Sequence, residues 1–518
     1  MHRHYNHQIV PQQAPEIQPA SPVEIKTVLA GLMLALMLAS LDQNIVGVAL
    51  PRIVSDLGGL SHLSWVITSF MLTSTTTTPL YGKLSDMYGR KPLFIAAILI
   101  FLAGSSLCGL SVSMTQLVVF RGIQGLGAGG LITLAMTTIA DLVAPRERGR
   151  YQGYFGAVFA LSSIAGPLLG GFITDALSWR WIFYVNLPIG ALALLFFIFG
   201  FHRPHRVVSH RIDYAGAALL TAATTALLLV LTWGGEQYAW SSPLIMGLAA
   251  SVIAMISLLV YTERHSTEPV LSPKILQNRV FMIATSVMFL TFMGLFSAAI
   301  FLPLFFQLVL GFAPARAGLM LAPMTGGVVV ASFLGGRLVS RSGRYKIFPV
   351  VGLAAATLAF LSVMWAALAG ASIGFVEISL VVLGMGFGLV MPNLLVAIQN
   401  AVLPIELGSA TAASTFFRSL GGTFGVAISG AIMTAQLQAP HAQMSAGMGN
   451  GVRSLLEQGI QQIGQLPAVQ KEMVIGAYRH AIGTTFMLGS VIIALAFILV
   501  LFLPEHPLKT SHGSPSRK

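Results

Sequence analysis

Runs of about 20 apolar residues, broken by short polar stretches, recur along the whole chain, and each is long enough to cross a ~30 Å hydrocarbon core as a helix. They fall near 27–49, 63–81, 93–112, 116–139, 153–175, 182–201, 213–233, 243–261, 280–304, 316–338, 347–368, 373–396, 407–435 and 480–503 of the 518 positions. In lipid the backbone must satisfy its own hydrogen bonds, which selects helices, and the alternation of a transmembrane barrel is absent. The pattern predicts an all-α polytopic membrane protein with fourteen spans. An even count puts both termini on one side.

The polar stretches decide which side. With the termini in the cytoplasm, 21 of the 29 Lys and Arg fall in tails and loops on that side and 6 in the opposite loops; Arg121 and Arg418 lie inside runs. PRERGR (145–150), HRPHRVVSHR (202–211) and GRLVSRSGRYK (336–346) all belong to the terminal side. Basic residues concentrate on the cytoplasmic face, so both termini are expected there, in a bacterial inner membrane. Composition agrees: 55% of residues are hydrophobic and 9% charged, against roughly 25% charged in soluble domains. The net charge of +12 then reflects orientation, and nucleic acid is not an expected partner. The first run lacks an obvious small-residue cleavage site and is read as a retained span, not a signal peptide. The single cysteine, Cys108, lies inside a run and reads as a small hydrophobe.

One polar stretch is unusually rich. GKLSDMYGRKP (82–92) packs Lys83, Asp86, Arg90 and Lys91 between apolar runs. It echoes later: Gly82-Lys83-Leu84 … Gly89-Arg90 matches Gly336-Arg337-Leu338 … Gly343-Arg344. Repeats in two halves of a membrane chain are a transporter signature. The first copy follows the second run and the later copy the tenth, so two extra spans sit between two six-helix halves, most simply the seventh and eighth. The expected organisation is a tail (1–26), a six-helix bundle (27–201), a linker with two extra helices (202–279), a second bundle (280–503) with an outer loop (436–479), and a tail (504–518).

Six motifs in register carry a resemblance. LDQNIVGVALP (41–51), GKLSDMYGRKP, LVVFRGIQGLGAGG (117–130), AGPLLGG (165–171), WRWIFYVNLPIG (179–190) and RSLGGTFGVAISG (418–430) resemble motifs of the major facilitator superfamily, in particular its fourteen-span drug:proton antiporter branch. The resemblance runs from about Leu41 to Phe502. There are departures. Asn44 and Gly47 stand where that branch more often has Thr and Asn, Ser162 where Gly is common, and Ser340 in the later loop where the first has Asp86.

The resemblance implies two six-helix bundles plus two extra central helices, and a proton-coupled multidrug efflux antiporter working by alternating access. Its cargo would be amphipathic, often cationic organic compounds. An exporter of one endogenous metabolite, and an importer or uniporter, are the alternatives. In this picture Gly82, Asp86, Gly89, Arg90 and Asp141 form a cytoplasmic gate, with Asp86 on the start of span thirteen near Leu407 and Arg90 paired with Asp141. Gly166, Pro167, Gly170 and Gly171 form the antiporter motif that sets direction. Asn44, Gln124 and Arg418 line the substrate cavity, and Arg418 is also a candidate for contacting the gate. Asp42 and Arg121 couple transport to protons. Charges at mid-membrane are costly and usually face a cavity, and a carboxyl group can take up and release a proton while Arg cannot. A fixed buried pair is the structural alternative.

Other features carry less. Ser74 to Thr78 are expected to bond carbonyls one turn back. Trp179, Trp181, Phe183 and Tyr184 suit an interfacial belt, and Glu377 an outer interface. The histidines at 2, 4, 7, 202, 205 and 210 are read as solvated. VRSLLEQGIQQIG in the 436–479 loop suits an amphipathic surface helix. No G-x-x-x-x-G-K-[ST] phosphate loop and no H-E-x-x-H occurs, so neither an ATPase nor an enzyme is expected, and no cofactor or metal. Small molecules, protons and lipid are the expected partners of a monomer, with a periplasmic adaptor and outer-membrane channel as candidate additions.

Overall fold

The computed structural model describes residues 22–58, 63–201, 213–235, 237–266, 269–270, 272–312, 314–370, 372–444 and 468–508. Among the described residues fourteen long helices follow one another: α1 (Pro22–Leu57), α2 (Leu63–Tyr88), α3 (Arg90–Leu110), α4 (Met114–Leu142), α5 (Pro145–Ala176), α6 (Asn186–Gly200), α7 (Tyr214–Trp233), α8 (Pro243–His265), α9 (Arg279–Leu304), α10 (Ala322–Ser342), α11 (Ile347–Ala369), α12 (Ile373–Ala401), α13 (Leu407–Met444) and α14 (Ala468–Leu501). Among the described residues there is no strand, only an isolated bridge between Gly234 and Tyr238.

Thirteen of these helices are long and apolar enough to cross a membrane. The exception is α2, 26 residues long but less apolar. Its hydroxyls explain this: Ser74, Thr76, Thr77 and Thr78 donate to Met71, Leu72, Thr73 and Ser74 carbonyls at 3.1, 2.9, 2.8 and 2.8 Å. Bonded along the helix, these groups need no water.

Helix contacts repeat between halves. α1 packs on α4, α5 and α6, while α9 packs on α12, α13 and α14; α4 carries α2 and α3, as α12 carries α10 and α11. The echo extends to caps. Lys91, at the start of α3, donates to the Ile198 and Phe201 carbonyls (2.8 and 2.7 Å) at the end of α6; Lys346, before α11, donates to Leu501 (2.8 Å) at the end of α14. A cation suits the negative end of a helix. The halves meet along α2 with α13 and along α5 with α10. α7 and α8 pair with each other, and α7 lies against both α2 and α13. Leu220 and Leu228 of α7 share an apolar cluster with Phe416 and Leu420 of α13, so the extra pair covers that seam.

Two expectations change. Trp179 and Phe183 are not interfacial; both are buried in the first half, and the Trp179 indole N–H donates to Asp56 at 2.9 Å. Only Trp181 of that group is strongly exposed. The stretch 436–479 is not one loop: α13 continues to Met444 and α14 begins at Ala468. VRSLLEQGIQQIG and the histidines at 2, 4, 7, 202, 205 and 210 lie outside the described residues.

Candidate functional site

At the end of α2 the chain must turn sharply into α3. Gly89 supplies the turn with φ 91°, a value that disfavours any residue with a Cβ. The turn presents Asp86 and Arg90 to the other half. Asp86 accepts from the Gly408 amide (3.0 Å), the Ser409 amide (2.7 Å) and the Ser409 hydroxyl (2.8 Å). The two amides are orphan donors of the first turn of α13, where the helix dipole also favours a carboxylate. Arg90 bridges Asp86 (2.7 Å) and Asp141 (2.8 Å) and donates to the Ser85 hydroxyl. Gly82 lets the helices touch: a Cβ there would collide with the Ala412 Cβ and lie 2.8 Å from the Gly408 oxygen.

The second seam is closed at the same level by opposite charge. Arg146, in the first turn of α5, donates to the Ser340 and Arg341 carbonyls (2.9 and 3.0 Å) at the end of α10. Arg148 is buried and donates to Ala140 (2.6 Å), Val143 (3.3 Å) and, across the seam, Gln399 (3.2 Å). Gly149 and Gly336 meet backbone to backbone; a Cβ on Gly336 would overlap the Gly149 carbonyl. Sequence reasoning treated PRERGR as an orientation signal only. The clue was its placement, just after α4 on the side that carries the GKLSDMYGRKP loop.

Between the halves lies a cavity of about 1910 Å³. Toward the loop end its lining stops at Met136, Gln152, Leu395 and Thr415; toward the other end it reaches Trp65, Trp233, Trp240 and Leu319. Asn44 and Arg418 line it, and Gln124 does not. Among the described lining residues only Arg121 and Arg418 are charged, and none is Asp, Glu, Lys or His. The expectation of cationic cargo therefore meets a wall without a carboxylate.

Gln124 corrects the cavity assignment. It is buried one turn from Arg121 on α4, turned toward α1 rather than the cavity, where its amide donates to Asp42 (2.8 Å) and its oxygen accepts from Arg121 (2.8 Å). Asp42 is 0% exposed and Arg121 2%, and their ion pair is 2.6 Å long. Asn186 of α6 donates to Asp42 (3.0 Å) and to Ser105 (3.0 Å). Arg121 also donates to the Val66 carbonyl (3.2 Å) and lies over the Phe70 ring at 4.1 Å. Asp42 thus holds three donors in a dry site, while Arg121 connects it to the cavity wall. Asn186 and Ser105 were not singled out beforehand; WRWIFYVNLPIG contains the asparagine as an isolated polar residue, the only signal available.

AGPLLGG presses α5 onto the same stretch of α1. A Cβ on Gly166 would lie 2.5 Å from the Asn44 Cβ, and one on Gly170 2.9 Å from the Ile45 oxygen. Gly171 is looser, with Val48 at 4.0 Å, and Pro167 lines the cavity. These residues set how closely α5 approaches the segment that carries Asp42.

Two helical halves around a central cavity, sealed at one end by helix-terminus contacts, define a membrane transporter. The Major Facilitator Superfamily model matches residues 32–426, and the chain belongs to that family. It is 35% identical over 509 residues to the multidrug transporter protein MdtP of Bacillus subtilis (strain 168), covering 93% of each chain. It is also 35% identical over 501 residues to multidrug resistance protein 3 of the same organism, covering 95% of this chain and 98% of the relative. Among solved structures, that of the human organic anion transporter MFSD10 (TETRAN) superposes with a TM-score of 0.63 at 17% identity, covering 93% of this chain and 100% of that one, which speaks for the fold.

Proposed function

We propose that this chain is a proton-coupled exporter of amphipathic organic compounds, of the fourteen-span branch, with α2 as the fourteenth span and both termini cytoplasmic. The observation that carries the reading is the 1910 Å³ cavity, closed at the loop end by Asp86 on α13 and by Arg146 on α10. With the loop in the cytoplasm, this is an outward-facing form that releases cargo and receives a proton. The relatives named as multidrug transporters support the direction.

In the proposed cycle, Asp42 is the proton acceptor. Ionised, it holds Arg121 at the cavity wall; protonated, it no longer compensates the guanidinium, and Arg121 turns toward other partners. Because α1 and α4 both carry this pair, its state biases how the first half sits against the second. The two seams need only tip conformations that are close in energy. One charge moved through 100 mV is worth ~2.3 kcal/mol, enough to sustain a concentration ratio of some tens-fold.

The test is transport in proteoliposomes with an imposed pH gradient, using a panel of fluorescent amphipathic compounds. Export-directed accumulation that nigericin abolishes supports the reading. Accumulation in the opposite direction, with the proton rather than against it, would identify an importer and overturn it.

A further inference from the structure

The charge of the cargo is written in the cavity wall. Arg121 is neutralised by Asp42 at 2.6 Å, which leaves Arg418 as the uncompensated lining charge among the described residues. Arg418 stands on α13 in the middle of the cavity, eleven residues past Leu407 and away from the seam contacts. No hydrogen bond or ion pair holds it among the described residues; its buried Nε has no partner, and its guanidinium lies 4.8 Å from the Phe292 ring centroid. Thr415, Ser419 and Thr423 beside it donate their hydroxyl protons to carbonyls of their own helix, leaving oxygen lone pairs that do not compete for an anion. The rest of the described wall is uncharged: Gln43, Asn44, Gln152 and several hydroxyls stand among apolar and aromatic side chains, with Phe155, Phe159, Phe292 and Phe296 among the lining residues.

A guanidinium whose buried Nε has no partner is costly unless something completes it. Its planar donors match a carboxylate or sulfonate, and such pairs are stronger than neutral hydrogen bonds. We propose that the cargo of this cavity is an amphipathic organic monoanion, its acid group on Arg418 and its aromatic body among the phenylalanines. This rests on the reading of the cavity as a transport site and deepens it. A cation would meet an unscreened like charge and, among the described lining residues, no acidic counter-ion. Exchange of one incoming proton for one outgoing anion carries two charges in the same electrical sense, so export of such a cargo responds to membrane potential as well as to pH.

The test is equilibrium binding to the purified full-length protein in detergent, which needs neither a gradient nor coupling. Three matched probes are used: 1-naphthoate, its uncharged 1-naphthamide, and 1-naphthylmethylammonium, read by titration calorimetry. The expected result is that naphthoate binds at least about tenfold more tightly than either companion. Arg418→Gln should remove that preference, with an unaltered thermal unfolding midpoint in detergent showing that the variant is folded. Arg418→Lys should restore part of it. Absence of an anion preference in the wild type, by equal binding or by none, overturns the proposal. So does a naphthoate-to-naphthamide ratio that survives Arg418→Gln. A protein that prefers the anion but fails to move it with a pH gradient would contradict proton-coupled export and leave the anion site standing.

Discussion

The Asp86 carboxylate and the Gly408 amide, 322 residues apart in sequence, are 3.0 Å apart across the seam between the halves. Arg146 and the Ser340 carbonyl, at 2.9 Å, make the complementary contact on the other seam. One seam sets an anion on a helix N-terminus; the other sets a cation on a helix C-terminus. Both exploit the same backbone dipole with opposite sign, and both are available only while the loop end is closed.

Asp86→Asn keeps the shape of the first contact and removes its charge. The dipole interaction it loses is worth ~0.3–1 kcal/mol, so the closed-to-open ratio should fall by roughly two- to fivefold. Labelling of a cavity cysteine, Val328→Cys on a Cys108→Ser background, by an impermeant maleimide reads this population. Wild-type labelling in the variant would remove Asp86 from the latch.

Gly82→Ala and Gly336→Ala should act more strongly, because each adds a methyl group only where the closed form has no room. Overpacking costs ~1–3 kcal/mol, here charged to one conformation. Each variant should label less at the cavity position and still insert normally. Gly247→Ala serves as control, since a Cβ there meets nothing within 4 Å.

Removing Asp42 strands a buried guanidinium. Asp42→Asn should lower stability by ~3–5 kcal/mol, as expected when one partner of a buried pair is lost, and abolish gradient-driven transport. The double variant Asp42→Asn, Arg121→Gln should recover much of the stability and none of the coupling. Thermal unfolding in detergent and proteoliposome flux separate the two effects; a double variant as unstable as the single one would argue that the pair is not the source of the loss.

Arg148 satisfies three carbonyls with one side chain. In Arg148→Ala those acceptors lose their donor, at ~1–3 kcal/mol for each one left dry, and the thermal midpoint should drop measurably. Arg150→Ala, two residues on and exposed, should stay within about 0.5 kcal/mol of the parent. Equal effects would mean that PRERGR acts only through its summed charge.

The helices were legible because lipid imposes length and apolarity on each span, and the orientation charges lie where the chain leaves it. The turn at Gly89 was legible because few residue types tolerate that backbone. The facing of side chains inside a span was not. α4 is buried nearly all round, including Arg121, Gln124 and the Gly125–Gly130 stretch apart from Leu126, so no apolar stripe reveals which face meets the cavity. Gln124 was accordingly assigned to the cavity when it faces Asp42. Asn186 and Arg148 were passed over for a related reason: a single polar residue shows its importance only once the helix opposite it is known. That the described lining carries no carboxylate is a property of the assembled wall, to which both halves contribute.

The link between Asp42 and the cavity is tested most directly without any substrate. Labelling of Val328→Cys, on the Cys108→Ser background and normalised to labelling in denaturant at each pH, is compared at two pH values. The expected result is a difference in the parent that disappears in Asp42→Asn. A difference of the same size in the variant would contradict proton control of the cavity through Asp42.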